Sequence, residues 1–404
     1  MSSKRKKTAL PAPAATNKNV LRVRDGEARV TNEELFFDLI YAFAVTQLAH
    51  RLGEHLTFIN AIQTLVLWYG VWLGWQYTSW VTNWFNPEHR GMRLMLFGVM
   101  LAGLIMSTAI PTAFAEGGFT FAICYALIQL GRTLYVLWHL GRRNPLTANY
   151  RRILAWLCVS TVFWIAGAML EEQPRLLLWA IAVACEYFSP MVGFRFPGLG
   201  KSLTTDWTID GGHLAERCQL FVIVALGESI LATGAAVGHS MHFDAPTVMS
   251  LLVTFVASVA MWWIYFDTSS KDGSHAITHS RDPGRIGAYF HYIHVTLIAG
   301  IIVVAVGDHM ILDKPDAKID MAAMCVIIGG PLIYLVGDAA YRKVVYGKVS
   351  RSYLVGMAAL LALIPFSFMT DRLMVAGLVM VILWFIAICG SRGERGQRII
   401  VQET

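Results

Sequence analysis

About twelve apolar runs follow one another along this chain, each near the roughly 20 residues that cross a bilayer as a helix. They fall at approximately 33–52, 58–82, 91–115, 119–141, 151–171, 174–194, 213–238, 246–267, 285–308, 321–343, 352–370 and 372–390. None alternates with a period of two, which excludes a transmembrane barrel. The expected fold is therefore all-α, a polytopic transmembrane helix bundle of about 12 spans. Composition agrees: 56% of the 404 residues are hydrophobic and only 15% are charged, against about 25% charged in soluble domains.

The basic residues are placed as topology signals. Lys4-Arg5-Lys6-Lys7, His89-Arg90-Arg93, Arg142-Arg143, Arg195-Lys201, Lys271-Arg281-Arg285, Arg342-Lys343-Lys348 and Arg392-Arg395-Arg398 fall on one side of the span pattern. Few fall on the other. The positive-inside rule then puts both termini in the cytoplasm, with an even number of spans. No nucleic-acid partner is needed to explain 33 Lys and Arg against 27 Asp and Glu. No short apolar segment follows the first basic cluster, so a disordered cytoplasmic tail over 1–30 is expected, not a cleaved signal. The six cysteines are scattered through apolar segments without a paired spacing, and no chemistry is assigned to them.

The chain also echoes itself. Spans two and eight end in Trp80-Val81-Thr82-Asn83-Trp84 and Trp262-Trp263-Ile264-Tyr265-Phe266-Asp267. Spans four and ten carry Gly131-Arg132-Thr133-Leu134-Tyr135 and Gly337-Asp338-Ala339-Ala340-Tyr341, and each is followed by a basic turn. Two parallel six-helix repeats are expected, over 31–200 and 201–391, with a C-terminal tail over 392–404. Transporters built this way hold their substrate near mid-membrane, between the repeats.

The polar residues inside the spans carry the functional signal. The first span enters with Glu33-Glu34 and carries Asp38 a turn deeper. At helical spacing Glu34, Asp38 and Tyr41 share a face. A carboxylate in hydrocarbon costs about 2.5–3.5 kcal/mol on insertion scales, so these acids should face the bundle interior. Span seven carries His213, Glu216, Arg217 and Glu228, the last about 18 Å along the axis from Glu216. Arg132 lies deep in span four, Asp338 in span ten, Glu186 in span six, and His291 and His294 in span nine. Acids outnumber the clear bases, Arg132 and Arg217. Arginine stays charged and takes a carboxylate or carbonyl partner, which leaves acids free to bind a proton or a cation.

Other chemistries fit less well. No span has a lysine at its middle, as a retinal Schiff base needs, and Gly227-Glu228-Ser229-Ile230-Leu231 lacks the second glycine of a nucleophile elbow. No phosphate-cradling loop occurs. His213-x-x-Glu216 and His291-x-x-His294 have a spacing that two helices could use to hold a metal, but spacing alone does not carry that assignment. No metal or cofactor is predicted.

Glu34-Leu35-Phe36-Phe37-Asp38-Leu39, followed by Ala42-Phe43-Ala44-Val45-Thr46-Gln47-Leu48, resembles the bacterial low temperature requirement A (LtrA) family. The resemblance continues at Glu216-Arg217, at Ala225-Leu226-Gly227-Glu228-Ser229-Ile230, at Trp263-x-Tyr265-Phe266-Asp267, and at His294 with Ala299-Gly300-Ile301. It implies a polytopic protein linked to growth in the cold, and brings no substrate or reaction with it. Glu34, Asp38, Glu216, Arg217, Glu228, Asp267 and His294 fall on its motif positions; Arg132 and Asp338 join them from the residues alone. The leading expectation is a proton-coupled secondary transporter or ion pathway in a bacterial inner membrane, its partners the lipid bilayer and a small solute or ion. A homodimer is compatible with it. The alternatives are an intramembrane enzyme acting on lipid or isoprenoid-linked substrate, and a structural or sensory membrane protein.

Overall fold

A computed structural model describes residues 20–22, 29–239, 244–267 and 269–394. The expected disordered tail therefore lies mostly outside the described residues, as do Lys4-Arg5-Lys6-Lys7, Arg395 and Arg398. The described residues fold into helices without a strand, and their only β-type pairing is in isolated bridges. The first half comprises α1 (Asn32–Glu54), α2 (Phe58–Trp84), α3 (Arg90–Thr108), α4 (Gly118–Ala126), α5 (Arg132–Leu140), α6 (Leu146–Ala168) and α7 (Glu172–Met191). A π-helical turn at Leu127–Gly131 joins α4 to α5 in one rod. After the connection over 192–210 come α8 (Gly211–His239), α9 (Ala245–Phe266), the short α10 (Ser269–Thr278) and α11 (Pro283–Asp313). A broken rod of α12 (Met321–Ile327) and α13 (Gly329–Tyr346) follows, then α14 (Arg351–Ser367) and α15 (Arg372–Glu394). Most helix ends fall within a few residues of the expected limits, but α3 stops at Thr108, short of 115, and α6 begins at Leu146, ahead of 151.

Local chemistry sets several of these ends. Thr57 and Asp244 cap α2 and α9, their side chains accepting from the backbone N–H groups of Asn60 and Thr247. Asp282 does the same for Arg285 ahead of Pro283, whose missing N–H suits a first helical turn. At the start of α1 the Glu34 carboxylate reaches back to the N–H of Thr31 at 2.9 Å.

Among the described residues, seven rods are long and apolar enough to cross a membrane: Arg90–Thr108, Gly118–Leu140, Leu146–Ala168, Ala245–Thr278, Pro283–Asp313, Met321–Tyr346 and Arg372–Gly390. Helices α1, α2, α7 and α8 are of similar length but more polar, because they carry buried acids, arginines and tryptophans. The protein is an all-helical membrane bundle.

α1 shows its inversion clearly. Leu35, Phe36 and Leu39 are exposed, while Glu34, Phe37, Asp38 and Tyr41 are buried. A water-soluble helix would turn these faces the other way; lipid solvates the apolar face and the acids are kept inside. Glycines bring the second half together at α11 and α13. A Cβ at Gly300 would fall on the backbone of Tyr334, and one at Gly337 would sit 2.8 Å from the Leu297 backbone. Small residues of this kind allow two membrane helices to touch along their backbones.

Candidate functional site

α1, α2, α8 and α11 converge on a buried cluster of charged groups. Glu34 stands at its centre. One carboxylate oxygen accepts from His213 Nε2 at 2.9 Å and lies 3.4 Å from Arg217 Nη1. The other accepts from Arg22 Nη2 at 2.8 Å, from the Thr31 N–H, and from the Thr31 hydroxyl at 3.1 Å. On its far side His213 Nδ1 faces the Asn83 amide at 3.1 Å, and Asn83 is itself tied to the backbone of Asp210. An Nε2–H tautomer therefore satisfies both ring nitrogens with the imidazole neutral.

One turn deeper, Asp38 Oδ1 accepts from Arg217 Nη2 at 2.5 Å and from the indole of Trp75 at 2.7 Å. Its Oδ2 is buried and has no hydrogen-bond partner among the described residues. Trp72, Trp75 and Trp80 surround His291, whose Nδ1 lies 2.8 Å from the Gly287 carbonyl and 3.2 Å from the Trp80 indole nitrogen. The opposite nitrogen, Nε2, is buried and unpartnered. Tyr41, a turn beyond Asp38, is also buried with an unpartnered hydroxyl, next to Gly74.

The remaining predicted residues go elsewhere. Arg132 is fully buried against α2, donating to the Gly74 carbonyl at 3.3 Å, to Thr78 Oγ1 at 3.0 Å and to Gln129 Oε1, and it bonds none of the acids of the cluster. Asp338 accepts from Arg342 and Tyr353 on one oxygen, at 2.6 and 2.5 Å. His294 has both nitrogens occupied, by Tyr265 and by the Phe290 carbonyl. Asp267 caps α9 and leaves Oδ2 unpartnered among the described residues. Glu216 lies at the edge of the cluster and accepts from the Val30 N–H at 3.4 Å. Among the described residues no three metal-ligating side chains converge, so the two His-containing spacings do not assemble a common site.

Two open spaces lie outside the cluster, and none of Glu34, Asp38, His213 and Arg217 lines either. One, of about 780 Å³ including its solvent-continuous part, lies between α2, α5, α6 and the 192–210 connection, and Arg132 and Trp80 line it. The other, about 1220 Å³ on the same measure, opens between the far ends of α1, α8 and α11, where His50, Glu54, Glu228 and His309 meet. Glu228 is therefore in a vestibule and does not touch the buried cluster.

A family profile described as "Bacterial low temperature requirement A protein (LtrA)" matches residues 29–388. The chain belongs to the LtrA family. It is also 34% identical over 345 residues to an uncharacterised protein of Rhizobium meliloti (strain 1021), covering 84% of each chain. No solved structure matches it.

Within this LtrA protein the sequence singled out Glu34, Asp38 and Arg217 without their partners. Arg22 is the main omission. Residues 20–22, assigned to the tail, lie along the end of α2: Arg22 N–H donates to the Trp84 carbonyl, Asn86 N–H to the Val20 carbonyl, and Arg22 Nε to the Thr82 carbonyl at 2.7 Å. Apolar Val20-Leu21 inside a polar, basic tail was the available signal. Arg342 was the second omission. It was read as a topology charge, although Asp338 and Arg342 stand four residues apart on one helix face. Arg22 and Arg217 thus stand against Glu34 and Asp38, with His213 bonded to Glu34 beside them.

Proposed function

We propose that this LtrA protein is a proton-coupled secondary transporter in a bacterial inner membrane. In this reading it has twelve spans, with both termini in the cytoplasm, and two parallel six-helix repeats. The observation that carries the transport reading is Asp38: a buried carboxylate with one oxygen in an ion pair and the other without a partner among the described residues. A carboxylate so placed is cheap to hold while Arg217 is bound to it. It takes a proton when that arginine moves away.

Arg22 completes the logic as a tethered cation. While it is bound to Glu34 the cluster is neutral; when it withdraws, one negative charge remains uncompensated and a proton is the smallest ion that can cancel it. Exchange of the proton between Asp38 and the α1–α8–α11 vestibule, with Glu228 at its wall, would supply the second half of the cycle. The repeat reading is supported by a buried arginine on the fourth rod of each half that bonds a carbonyl of that half's second rod. These pairs are Arg132 with Gly74 and Arg342 with Ile264.

The test is solute-induced proton movement in proteoliposomes loaded with a pH dye, comparing wild type with Asp38→Asn and Glu228→Gln. Amino acids, sugars, polyamines, organic anions and inorganic ions are supplied at matched osmolarity. Loss of a wild-type flux in Asp38→Asn, measured on the monodisperse fraction that remains folded at low temperature, is the expected result. A wild-type flux that survives in Asp38→Asn would remove the proton site from this residue.

A further inference from the structure

We infer that the cavity beside Arg132 is a binding site for a small organic carboxylate with a flat apolar body. This deepens the transport reading by naming the substrate class, but the binding itself does not depend on transport. Arg132 is the only charged residue among those that line the cavity. It is a guanidinium with 1% of its surface exposed, and no carboxylate lies within ion-pair distance of it among the described residues. Its hydrogen-bond partners there are a carbonyl, a hydroxyl and an amide oxygen, its guanidinium lies over the Tyr77 ring at 5.4 Å, and no hydrogen bond from its Nε is present among the described residues.

Glu186 is the nearest buried acid in the network, and it is already engaged. It accepts from Tyr125 at 2.5 Å, Trp164 at 3.1 Å and Gln129 at 3.1 Å, so Gln129 stands between it and the guanidinium. The amide orders Arg132 without placing an anion on it. A buried arginine that lines a cavity, with donor hydrogens left over once these partners are counted, is arranged to receive a planar anion, because its forked donors match a carboxylate.

The remaining wall decides the body of the ligand. Trp80, Trp84, Tyr150, Trp207 and Tyr292 line the space, and neither Asp nor Glu is among its lining residues. Trp84 meets Tyr150 edge-on at 6.1 Å between centroids and packs against Trp207 at 5.7 Å, so the aromatic wall is held rigid before any ligand arrives. An aromatic cage alone would suit an organic cation, but a single buried guanidinium repels one. One positive charge matches one carboxylate better than a phosphate dianion.

The site is coupled by contact to the buried cluster. Trp80 lines the cavity and reaches His291, and the Gly74 carbonyl that Arg132 binds lies in the turn of α2 that packs on Tyr41. A bound anion would thus touch the cluster through Trp80 and His291.

The experiment is isothermal titration calorimetry of benzoate against the full chain in nanodiscs, with benzyl alcohol and benzylamine as neutral and cationic counterparts. Benzoate is expected to bind saturably, and both counterparts at least about tenfold more weakly, the size expected for losing a charged hydrogen bond. Arg132→Gln should lose benzoate by a similar factor and Arg132→Lys by less. Should Arg132→Gln fail to fold, Leu203→Glu serves instead. Leu203 is an exposed lining residue, and an acid there should weaken benzoate while leaving benzyl alcohol unchanged.

Absence of saturable benzoate binding, equal binding of benzylamine, or wild-type affinity in a folded Arg132→Gln protein would each overturn the assignment. Benzoate binding without any coupled proton flux would leave the site standing and remove the transport reading. Flux with other solutes, but no benzoate binding, would do the reverse.

Discussion

Arg217 and Asp38 are joined across α8 and α1 at 2.5 Å, with no more than 1% of either side chain exposed. Removing one member of such a pair strands the other in a medium that cannot solvate it, at a cost of about 3–5 kcal/mol. Asp38→Asn and Arg217→Gln should each destabilise strongly, and their combination should cost less than the sum by about 1–3 kcal/mol. Unfolding of the four proteins in mixed micelles measures this coupling. Additive costs would mean that each residue is held by its other neighbours, Trp75 for Asp38 and Glu34 for Arg217.

Arg22 brings a positive charge from the N-terminal segment to a carboxylate that α8 only partly neutralises. Arg22→Ala should lower stability by about 1–3 kcal/mol, because it leaves Glu34 short of a donor and the cluster with an excess negative charge. Adding Glu34→Gln restores neutrality, so Arg22→Ala/Glu34→Gln should unfold at a higher temperature than Arg22→Ala alone. A double variant weaker than the single one would show that Arg22 acts through the bond from its Nε to the Thr82 carbonyl and not through charge.

The helices were legible because hydrocarbon thickness imposes one length and lipid imposes one polarity; few other folds satisfy both. Glu34, Asp38 and Arg217 were legible for the complementary reason, that a charge in a span must have a use or a partner. What partners what was not legible. Glu34 and His213 are 179 residues apart, and helical spacing says nothing about which helices meet. Spacing within one helix placed His213 with Glu216, whereas tertiary packing turned its ring to α1. Arg132 was read with the acids of a single central cavity; in the structure it bonds none of them, because Gln129, one turn earlier, Thr78 and the Gly74 carbonyl take its donors. Helix α2 was the element least visible in this respect: helical spacing alone does not mark Trp68, Trp72 and Trp75 as interior, and all three are buried.

Gly300 lies where α11 meets the backbone of Tyr334, with no room for a methyl group. Gly300→Ala should therefore cost about 1–3 kcal/mol by overpacking, and Gly300→Val should abolish monodisperse protein. Gly98 provides the control, since a Cβ there meets nothing within 4 Å. Gly98→Ala should be neutral or slightly stabilising, as alanine is favoured over glycine within a helix. Equal behaviour of the two alanine variants in size-exclusion and thermal assays would mean that α11 and α13 can separate without loss.

Tyr41 distinguishes a working proton site from a merely structural one. Its hydroxyl is buried, has no hydrogen-bond partner among the described residues, and lies beside Gly74, between the Asp38 turn of α1 and the carbonyl that Arg132 binds. A hydroxyl left in this state costs stability, so Tyr41→Phe should be as stable as the wild type or more so. If protons pass between Asp38 and the Arg132 side of α2, however, this hydroxyl is the group placed to hand them on, and its loss should slow coupled flux by at least about tenfold. Thermal unfolding and proteoliposome flux on the same preparation give both readings. A stable protein with slowed flux supports the relay; a stable protein with unchanged flux takes Tyr41 out of the path and leaves exchange through the α1–α8–α11 vestibule as the only route to Asp38.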